Sequence, residues 1–294
     1  MTILLLIICI LSSGFTSNIY KKLSNNCVSS CETAATPFVW FLILTAFFSI
    51  LSASSAQSVS ASLLLSAVPA GVCIFVAAYT LLLSMKANAI SVSVIIVNLN
   101  FIIPVVLSAL ILKEHIGDIQ IVGMIFSITV IILMNMGGNE NGAAKKTGIL
   151  LPVLAFLSNG LFNFFIKLNE SKGDSAFLFF AISYGIAALL SLTLGFALGE
   201  KKQKARFPLS KSYLRKAIFP MLLIGVCNGA CFYTARLLAE RMNAAAQFTL
   251  VTCMSIMLSL SVGFIFQGDK FTKKSAVSIF FCMVAIICQY SGIV

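Results

Sequence analysis

Two apolar stretches of the sequence carry polar side chains at a spacing of four residues. Residues four apart lie on one face of a helix, so each set predicts a polar stripe that ends in an ammonium group. Hydroxyl, amide and ammonium groups can line a path for a polar solute, or they can hydrogen-bond neighbouring helices. The stripes are Ser13, Ser17 and Lys21, with Thr16 beside them, and Asn159, Asn163 and Lys167.

Further polar groups inside apolar runs extend the set of candidate binding residues. They offer phenol, amide and hydroxyl groups: Tyr79, Asn98, Asn228, Tyr233 and Thr252. Asn98 precedes Pro104, and a proline frees a backbone carbonyl one turn earlier because it has no N–H to donate. We expect Asn98 and that carbonyl to lie near a bound solute; a packed kink without a ligand is the alternative.

Three further charges are candidates for gating or for recognition of charge. Arg236 can meet an anionic group, or it can pair with Glu240 one turn away. Glu114 and Asp269 close the fourth and ninth apolar runs, where each is either a gate or a solvated helix end. All nine acidic residues fall between the runs or at their ends, so the predicted helices have no carboxylate at mid-depth.

The composition shows what kind of element must position these groups. Among 294 residues, 20 are basic and 9 acidic, so that 10% is charged and 60% is hydrophobic. Soluble domains are roughly 25% charged. A soluble protein of this composition could not cover its surface with polar groups, which excludes a soluble enzyme, a nucleic-acid-binding protein and a disordered chain. We predict an integral membrane protein whose net charge of +11 lies in its loops.

Ten apolar runs have about the 20 residues that a bilayer-crossing helix needs. The predicted fold is therefore an all-α integral membrane protein with ten transmembrane helices. The spans are 3–20, 37–54, 62–84, 89–112, 117–136, 148–167, 176–198, 217–238, 244–266 and 273–293.

The ten runs divide into two copies of a five-helix unit. A shift of 146 residues aligns Lys21 with Lys167, and a shift of 155 aligns Glu114 with Asp269. Five is an odd number, so the second copy enters the membrane from the opposite face. We predict two inverted repeats, residues 1–146 and 147–294, which is a plan that permits two states open to opposite sides.

The end of each half carries a turn that relates the chain to a known family. The residues are Pro104, Leu112-Lys113-Glu114, Gln120 and Gly123 in the first half and Gly268-Asp269 in the second. With its ten runs and five-plus-five duplication, the chain resembles the EamA-like part of the drug/metabolite transporter superfamily. Lys113 stands where that family often has Gly, Asp269 replaces Glu, and Ser259 takes the place of a second Pro104. The resemblance implies a ten-helix carrier of small metabolites.

The predicted helices have no carboxylate at mid-depth, and this absence limits the expected charge of the substrate. Export of a cation usually needs such a group, so we expect a neutral, zwitterionic or mildly anionic substrate, moved by alternating access. The expected partners are this small molecule and the lipid bilayer of the cell membrane, with no nucleic acid, and the expected assembly is a monomer or homodimer. We expect no cofactor and no metal, because Cys27 and Cys31 lack further ligands nearby and the only His is His115.

Three other functions stay open from the sequence. The chain could be a non-transporting membrane protein, such as a lipid-handling or assembly subunit, or an exporter of cationic or amphipathic compounds. A membrane-embedded enzyme is the third, but it would need acid–base or metal groups that the predicted spans do not supply. A polar cavity reached from one aqueous face would favour a carrier, whereas a cleft open to lipid would favour a non-transporting protein.

Overall fold

The computed structural model describes residues 2–27, 29–53, 59–87, 97–135, 150–199, 209–266 and 273–291. Within these ranges the chain forms α-helices and no strand, which confirms the all-α prediction. Ten α-helices have both ends within these ranges: α1 (Thr2–Asn26), α2 (Ser30–Ala53), α3 (Ala61–Ala87), α4 (Ile102–Ile111), α5 (Asp118–Asn135), α6 (Leu150–Ser171), α7 (Ala176–Ala197), α8 (Lys211–Ala239), α9 (Ala244–Phe266) and α10 (Lys273–Ser291).

Five of these helices are long and apolar enough to cross a membrane, judged by length and composition: α2, α3, α6, α7 and α8. The other described helices contribute apolar segments of 10–17 residues. Large apolar side chains cover the outside of the bundle; Ile3, Leu65 and Phe219 are each more than 70% exposed. Such a surface faces lipid rather than water. The protein is therefore a multi-pass membrane protein, while ten crossings and the inverted repeat stay predictions.

Three helices extend furthest beyond their predicted spans, because polar residues complete their ends. α1 continues to Asn26, α2 begins at Ser30 rather than at residue 37, and α8 begins at Lys211 rather than at residue 217. Ser29 and Glu32 form a capping box at the start of α2, in which each side chain accepts the other's backbone N–H. The apolar run alone could not show these polar turns.

The helices of the first half pack mainly against those of the second half. α2 packs on α7, α3 on α6 and α7, α1 on α8 and α9, α4 on α6, and α5 on α10. Under the predicted repeat, the α1–α8 contact corresponds to α6–α3, and α1–α9 corresponds to α6–α4. Stacked buried rings fill the space between α2 and α7, including Phe41, Phe48 and Tyr184. The core thus lies between the two halves.

Two glycines set how closely helices of the two halves approach. A Cβ at Gly71 on α3 would lie only 2.6 Å from the backbone oxygen of Ser183 on α7. A Cβ at Gly160 on α6 would lie 2.6 Å from the Cβ of Ile103 and 2.9 Å from the carbonyl oxygen of Asn100. Small residues are what allow membrane helices to approach this closely.

The close contact at Gly71 makes a stability prediction. Gly71→Ala should lower the apparent melting temperature in detergent, because the methyl group overpacks the α3–α7 contact at a cost of about 1–3 kcal/mol. Gly185→Ala is the matched control, since its Cβ would meet only Thr45 at 3.5 Å, and alanine favours a helix. Differential scanning fluorimetry measures both variants, and equal melting temperatures would contradict the tight contact.

Candidate functional site

The approach to α4 is irregular because of Pro104. Helical residues ending at Asn98 pass into a 3₁₀ turn, Leu99–Phe101, before α4 begins. Pro104 has no N–H to donate to the carbonyl of Asn100, four residues earlier. That carbonyl lies against Gly160 of α6, where an added Cβ would be 2.9 Å away. The two halves therefore meet at an irregular piece of backbone.

Four side-chain amides lie on α6 and on the segment before α4, at or near this meeting point. Asn163 is 8% exposed, and the other three are half-buried. None of the four side chains makes a hydrogen bond with the described part of the chain. Burying an amide without a partner is unfavourable, so these groups have free capacity for a polar solute. The four are Asn98, Asn100, Asn159 and Asn163, and we group them as the amide cluster because α6 contacts the turn Leu99–Phe101 beside them.

On α1, the polar side chains of Ser13 and Thr16 form hydrogen bonds with the protein. The hydroxyl oxygens of Ser13 and Ser255, on α9, lie 2.7 Å apart, and the Thr16 hydroxyl donates to the Ser12 carbonyl at 2.6 Å. These are bonds between and within helices, the alternative that the sequence left open. Three candidates lie outside the described residues: the side chains of Ser17 and Lys21, and Asp269.

Asn228 of α8 is buried and partly satisfied. Its amide donates to the hydroxyl of Tyr20 on α1 at 3.3 Å. The Tyr20 ring meets Trp40 edge-on, with ring centroids 5.9 Å apart. Asn228 therefore helps to hold α1 and α8 together through an aromatic neighbour.

The remaining polar candidates lie in aromatic or half-buried surroundings. The Tyr79 ring stacks on Phe75 at 6.0 Å, and the Tyr233 ring stacks on Phe177 at 5.6 Å. Thr252 is half-buried on α9. No described contact joins these three side chains to the amide cluster, so the candidates occupy more than one place in the bundle.

A buried ion pair joins the two halves at one end of the bundle. The Lys167 ammonium lies 3.0 Å from a carboxylate oxygen of Glu114 and 3.8 Å from one of Glu170, and Lys167 is only 4% exposed. The same ammonium donates to the carbonyls of Ala239, at 2.6 Å, and Met242, at 2.9 Å. A cation at the end of α8 is favoured by the helix dipole and satisfies carbonyls that the helix leaves free. We call this arrangement the Lys167 staple.

Glu114 extends the staple to two more helix ends. Its second carboxylate oxygen accepts the backbone N–H of Ala244, at 2.8 Å, and so caps the start of α9. Its own N–H donates to the Ser108 carbonyl and closes α4. Lys113, the residue before Glu114, has φ 56°, which is the left-handed conformation that glycine adopts most easily. The resembled family often has Gly at position 113, and this left-handed conformation is the reason why Gly suits the position.

Two residues near the staple were not among the sequence candidates. The Asn243 amide donates to the Gln120 side-chain oxygen at 3.0 Å, and Asn243 also accepts the N–H of Ala246 at the start of α9. Gln120 in turn accepts the N–H of Gly117 at 3.1 Å. A signal for Asn243 was present in the repeat, because it aligns with Asn88.

Arg236 adopts the ion pair that the sequence offered as an alternative. Its guanidinium lies 2.9 Å from a carboxylate oxygen of Glu240. It also donates to the Asn169 side chain at 3.0 Å and to the Asp174 carbonyl at 3.4 Å. Arg236 is 4% exposed. Its donors are therefore committed to protein oxygens rather than directed at an anionic solute.

Cysteines in the described ranges take part in packing. All nine are unbridged thiols. The Cys27 thiol lies 3.0 Å from the Tyr213 hydroxyl, and the Cys31 thiol contacts the Gly195 carbonyl at 3.0 Å. Among the described residues, no group of three or more His, Cys, Asp or Glu side chains could hold a metal ion.

Comparison with known proteins relates this architecture to a family. Residues 146–290 match the family described as the EamA-like transporter family. Over these residues the chain is similar to that family. Members of that family are membrane transporters of small molecules and not enzymes. The resemblance read from the turns at the ends of the two halves is thereby confirmed.

A solved crystal structure shares the fold over nearly the whole chain. It covers 98% of this chain and 95% of its own, with a TM-score of 0.69 and 14% sequence identity. A likeness at this identity shows the fold alone. No curated protein matches the sequence.

The Lys167 staple makes a coupling prediction. Lys167→Met should lower the melting temperature strongly, because breaking a buried ion pair by removing one partner costs about 3–5 kcal/mol. Glu114→Gln keeps an oxygen for the Ala244 N–H but loses the charge. The double variant should lose less than the sum of the two single losses, as a shared interaction requires.

Lys172→Met is the matched control for the staple, because Lys172 is exposed at the same end of the bundle. Thermal unfolding in one detergent compares all four variants with the parent protein. Additive losses, or a Lys172→Met loss as large as that of Lys167→Met, would show that the pair does not hold this end together.

Proposed function

We propose that this protein is a secondary transporter that moves a neutral, zwitterionic or mildly anionic small metabolite by alternating access. The observation that carries the proposal is the amide cluster, in which partnerless amides lie where the two halves meet. The family match over residues 146–290 supports the general class of small-molecule transporter. The charge of the substrate and the alternating-access mechanism go beyond that class and belong to the proposal.

The polarity of the amide cluster supports an uncharged or zwitterionic substrate. Each amide offers both N–H donors and a carbonyl acceptor, so the cluster can match donors and acceptors of a solute without neutralising a net charge. The acids in the described ranges lie at or near helix ends, and the buried cations Lys167 and Arg236 are held by protein oxygens. A solute at the amide cluster thus meets no unpaired charge among the described groups.

The staple supports a bundle that is closed at one end. It ties α6 to the ends of α4 and α8 and to the start of α9, which leaves little freedom for these four helices to separate. In the predicted repeat, Lys21 and Asp269 are the sequence counterparts of Lys167 and Glu114. Exchange of conformation between the halves would release one pair in favour of the other, as alternating access requires.

The packing of the helices is compatible with such an exchange. α1 contacts α8 and α9, and its predicted counterpart α6 contacts the counterparts of those helices, α3 and α4. Two states related by a pseudo-two-fold axis would have similar energies, because each would use the same kinds of contact. A transporter needs this near-equality so that a solute can shift the population.

Ligand binding tests the amide cluster directly. Purified protein should gain thermal stability with neutral, zwitterionic or mildly anionic metabolites, because a ligand that binds only the folded state raises the melting point. Asn163→Ala and Asn159→Ala should abolish the shift for a true substrate. Thr193→Ala, on the exposed face of α7, is the control and should keep it. A shift that survives both asparagine variants would place the substrate elsewhere.

Transport in vesicles tests the expected charge of the substrate. Proteoliposomes should carry the metabolite that gives the thermal shift, and flux should persist when no pH gradient is imposed. The reason is that the described interior offers no mid-depth carboxylate to bind a proton and a cation in turn. Efflux confined to organic cations, and strictly dependent on a pH gradient, would refute the proposed substrate class.

A further inference from the structure

The first turns of α8 have one face packed against the bundle. Tyr213, Ala217 and Ile224 are buried. The Tyr213 hydroxyl lies 3.0 Å from the Cys27 thiol and 2.8 Å from the Thr36 hydroxyl, so this face is held where α1 ends and α2 begins. The opposite face of α8 is therefore turned away from the protein.

The outward face of α8 changes from basic to apolar along the helix. Arg215 and Lys216 are exposed, and further along Phe219 and Val226 are 71% and 68% exposed. Residues three, four or seven apart share a side of a helix, so these four side chains form one continuous surface, which we call the outer face of α8.

The order of side chains on the outer face locates the edge of the hydrocarbon. Exposed apolar side chains on a membrane helix contact acyl chains, whereas Lys and Arg near the helix end reach the headgroup level. α8 contains the candidate membrane span Ser212–Ala239. The step from Lys216 to Phe219 therefore places the two cations at the level of the lipid headgroups.

The two cations of the outer face have free hydrogen-bond donors. Neither Arg215 nor Lys216 forms an ion pair or a hydrogen bond with the described part of the protein. By contrast, the buried cations Lys167 and Arg236 are held by protein oxygens. Because ammonium and guanidinium groups only donate, the outer face suits a partner that supplies acceptor oxygens.

Carboxylates are scarce at this end of the bundle. Where α1, α3 and α7 end and α2 and α8 begin, Glu32 is the one acid among the described residues. It is buried, and its oxygens accept the Ser29 N–H and the Ser210 hydroxyl. In the sequence, positions 201–216 hold seven Lys or Arg and no Asp or Glu. An excess of one sign of charge attracts the other, so this end favours an anion.

We propose that the outer face of α8 binds an anionic phospholipid, with Arg215 and Lys216 donating to the headgroup phosphate and Phe219 and Val226 contacting the acyl chains. Clusters of Lys and Arg beside a membrane helix are typical of sites for anionic lipids. A lipid fits better than a soluble phosphate, because only a lipid contacts both the basic and the apolar part. The surface involves neither the amide cluster nor the staple, so it is independent of the proposed transport.

Native mass spectrometry of the full-length protein, released from an uncharged detergent, measures lipid binding directly. Dioleoyl phosphatidylglycerol should bind more tightly than dioleoyl phosphatidylcholine, whose headgroup has no net charge. The preference should shrink as ionic strength rises, because salt screens exposed charges. Equal affinity for the two lipids would overturn the proposal.

Variants locate the lipid on α8. Arg215→Gln combined with Lys216→Gln should weaken phosphatidylglycerol binding about tenfold or more, because each basic group near the headgroups adds to the attraction. Lys113→Gln combined with Lys172→Gln is the matched control, since both lysines are exposed at the staple end and the net charge falls equally. Equal losses in the two double variants would show that affinity follows net charge alone, and would overturn the outer face as the site.

Further arms keep the test decisive. Arg215→Gln and Lys216→Gln alone should each lose part of the affinity, which serves if the double variant does not fold. sn-Glycerol 3-phosphate, which has the phosphate without acyl chains, should not displace phosphatidylglycerol; displacement would assign the cations to soluble anions and refute the lipid site. Asn163→Ala should bind phosphatidylglycerol as the parent does, so a lost metabolite shift with intact lipid binding would count only against the transport proposal.

Discussion

The ammonium group of Lys167 must be surrounded by oxygen atoms, because a charge held away from water is costly unless it is paired and hydrogen-bonded. The chain meets this need with the free carbonyls at the end of α8 and with the carboxylate of Glu114. These partners come from both halves of the sequence. One cation thus joins α6 to three helix termini, the ends of α4 and α8 and the start of α9, and the amides of Asn243 and Gln120 complete the arrangement.

The amide cluster differs from the staple because its polar groups have no protein partners among the described residues. At the staple almost every polar atom has a protein partner, whereas Asn159 and Asn163 have none among the described residues. A polar group that the fold leaves unsatisfied stays available to a visiting molecule. Under the proposed function, the satisfied end would resist opening and the unsatisfied asparagines would bind the solute. A carrier needs this contrast, because it must hold one side shut while it receives a solute.

The all-α class of the fold could be predicted from the sequence, because membrane helices are recognised by their length and apolar composition. It also placed Lys167 and Glu114 at helix ends and offered the Arg236–Glu240 pair. It could not predict that Lys167 and Glu114 meet, since they lie 53 positions apart and their contact depends on packing between the halves. Nor could it separate Ser13, which bonds to α9, from Asn163, which stays free: both look alike as polar residues on a helical stripe. Only the neighbouring helix decides which one is satisfied.

The turn at Lys113 illustrates how local chemistry and family pattern meet. A left-handed residue ends α4 so that Glu114 can point back toward α6 and α9. Glycine would adopt this conformation with less strain, and lysine adopts it here because the hydrogen bonds to the Ser108 carbonyl and the staple hold both sides of the turn. A departure from the common family residue is thus tolerated where the surrounding contacts are strong.

Asp174 also ties the turn between α6 and α7 to the first residues of α3, because Ser60 both binds Asp174 and caps α3. The α3–α7 contact at Gly71 adds a second attachment further along the same helix. α3 and α7 are consequently attached at two depths, and the α6–α7 turn is joined to α3 at one of them. This attachment joins one helix of the first predicted repeat to two of the second, so under the proposed function the boundary of a moving block would not coincide with the boundary between the predicted repeats.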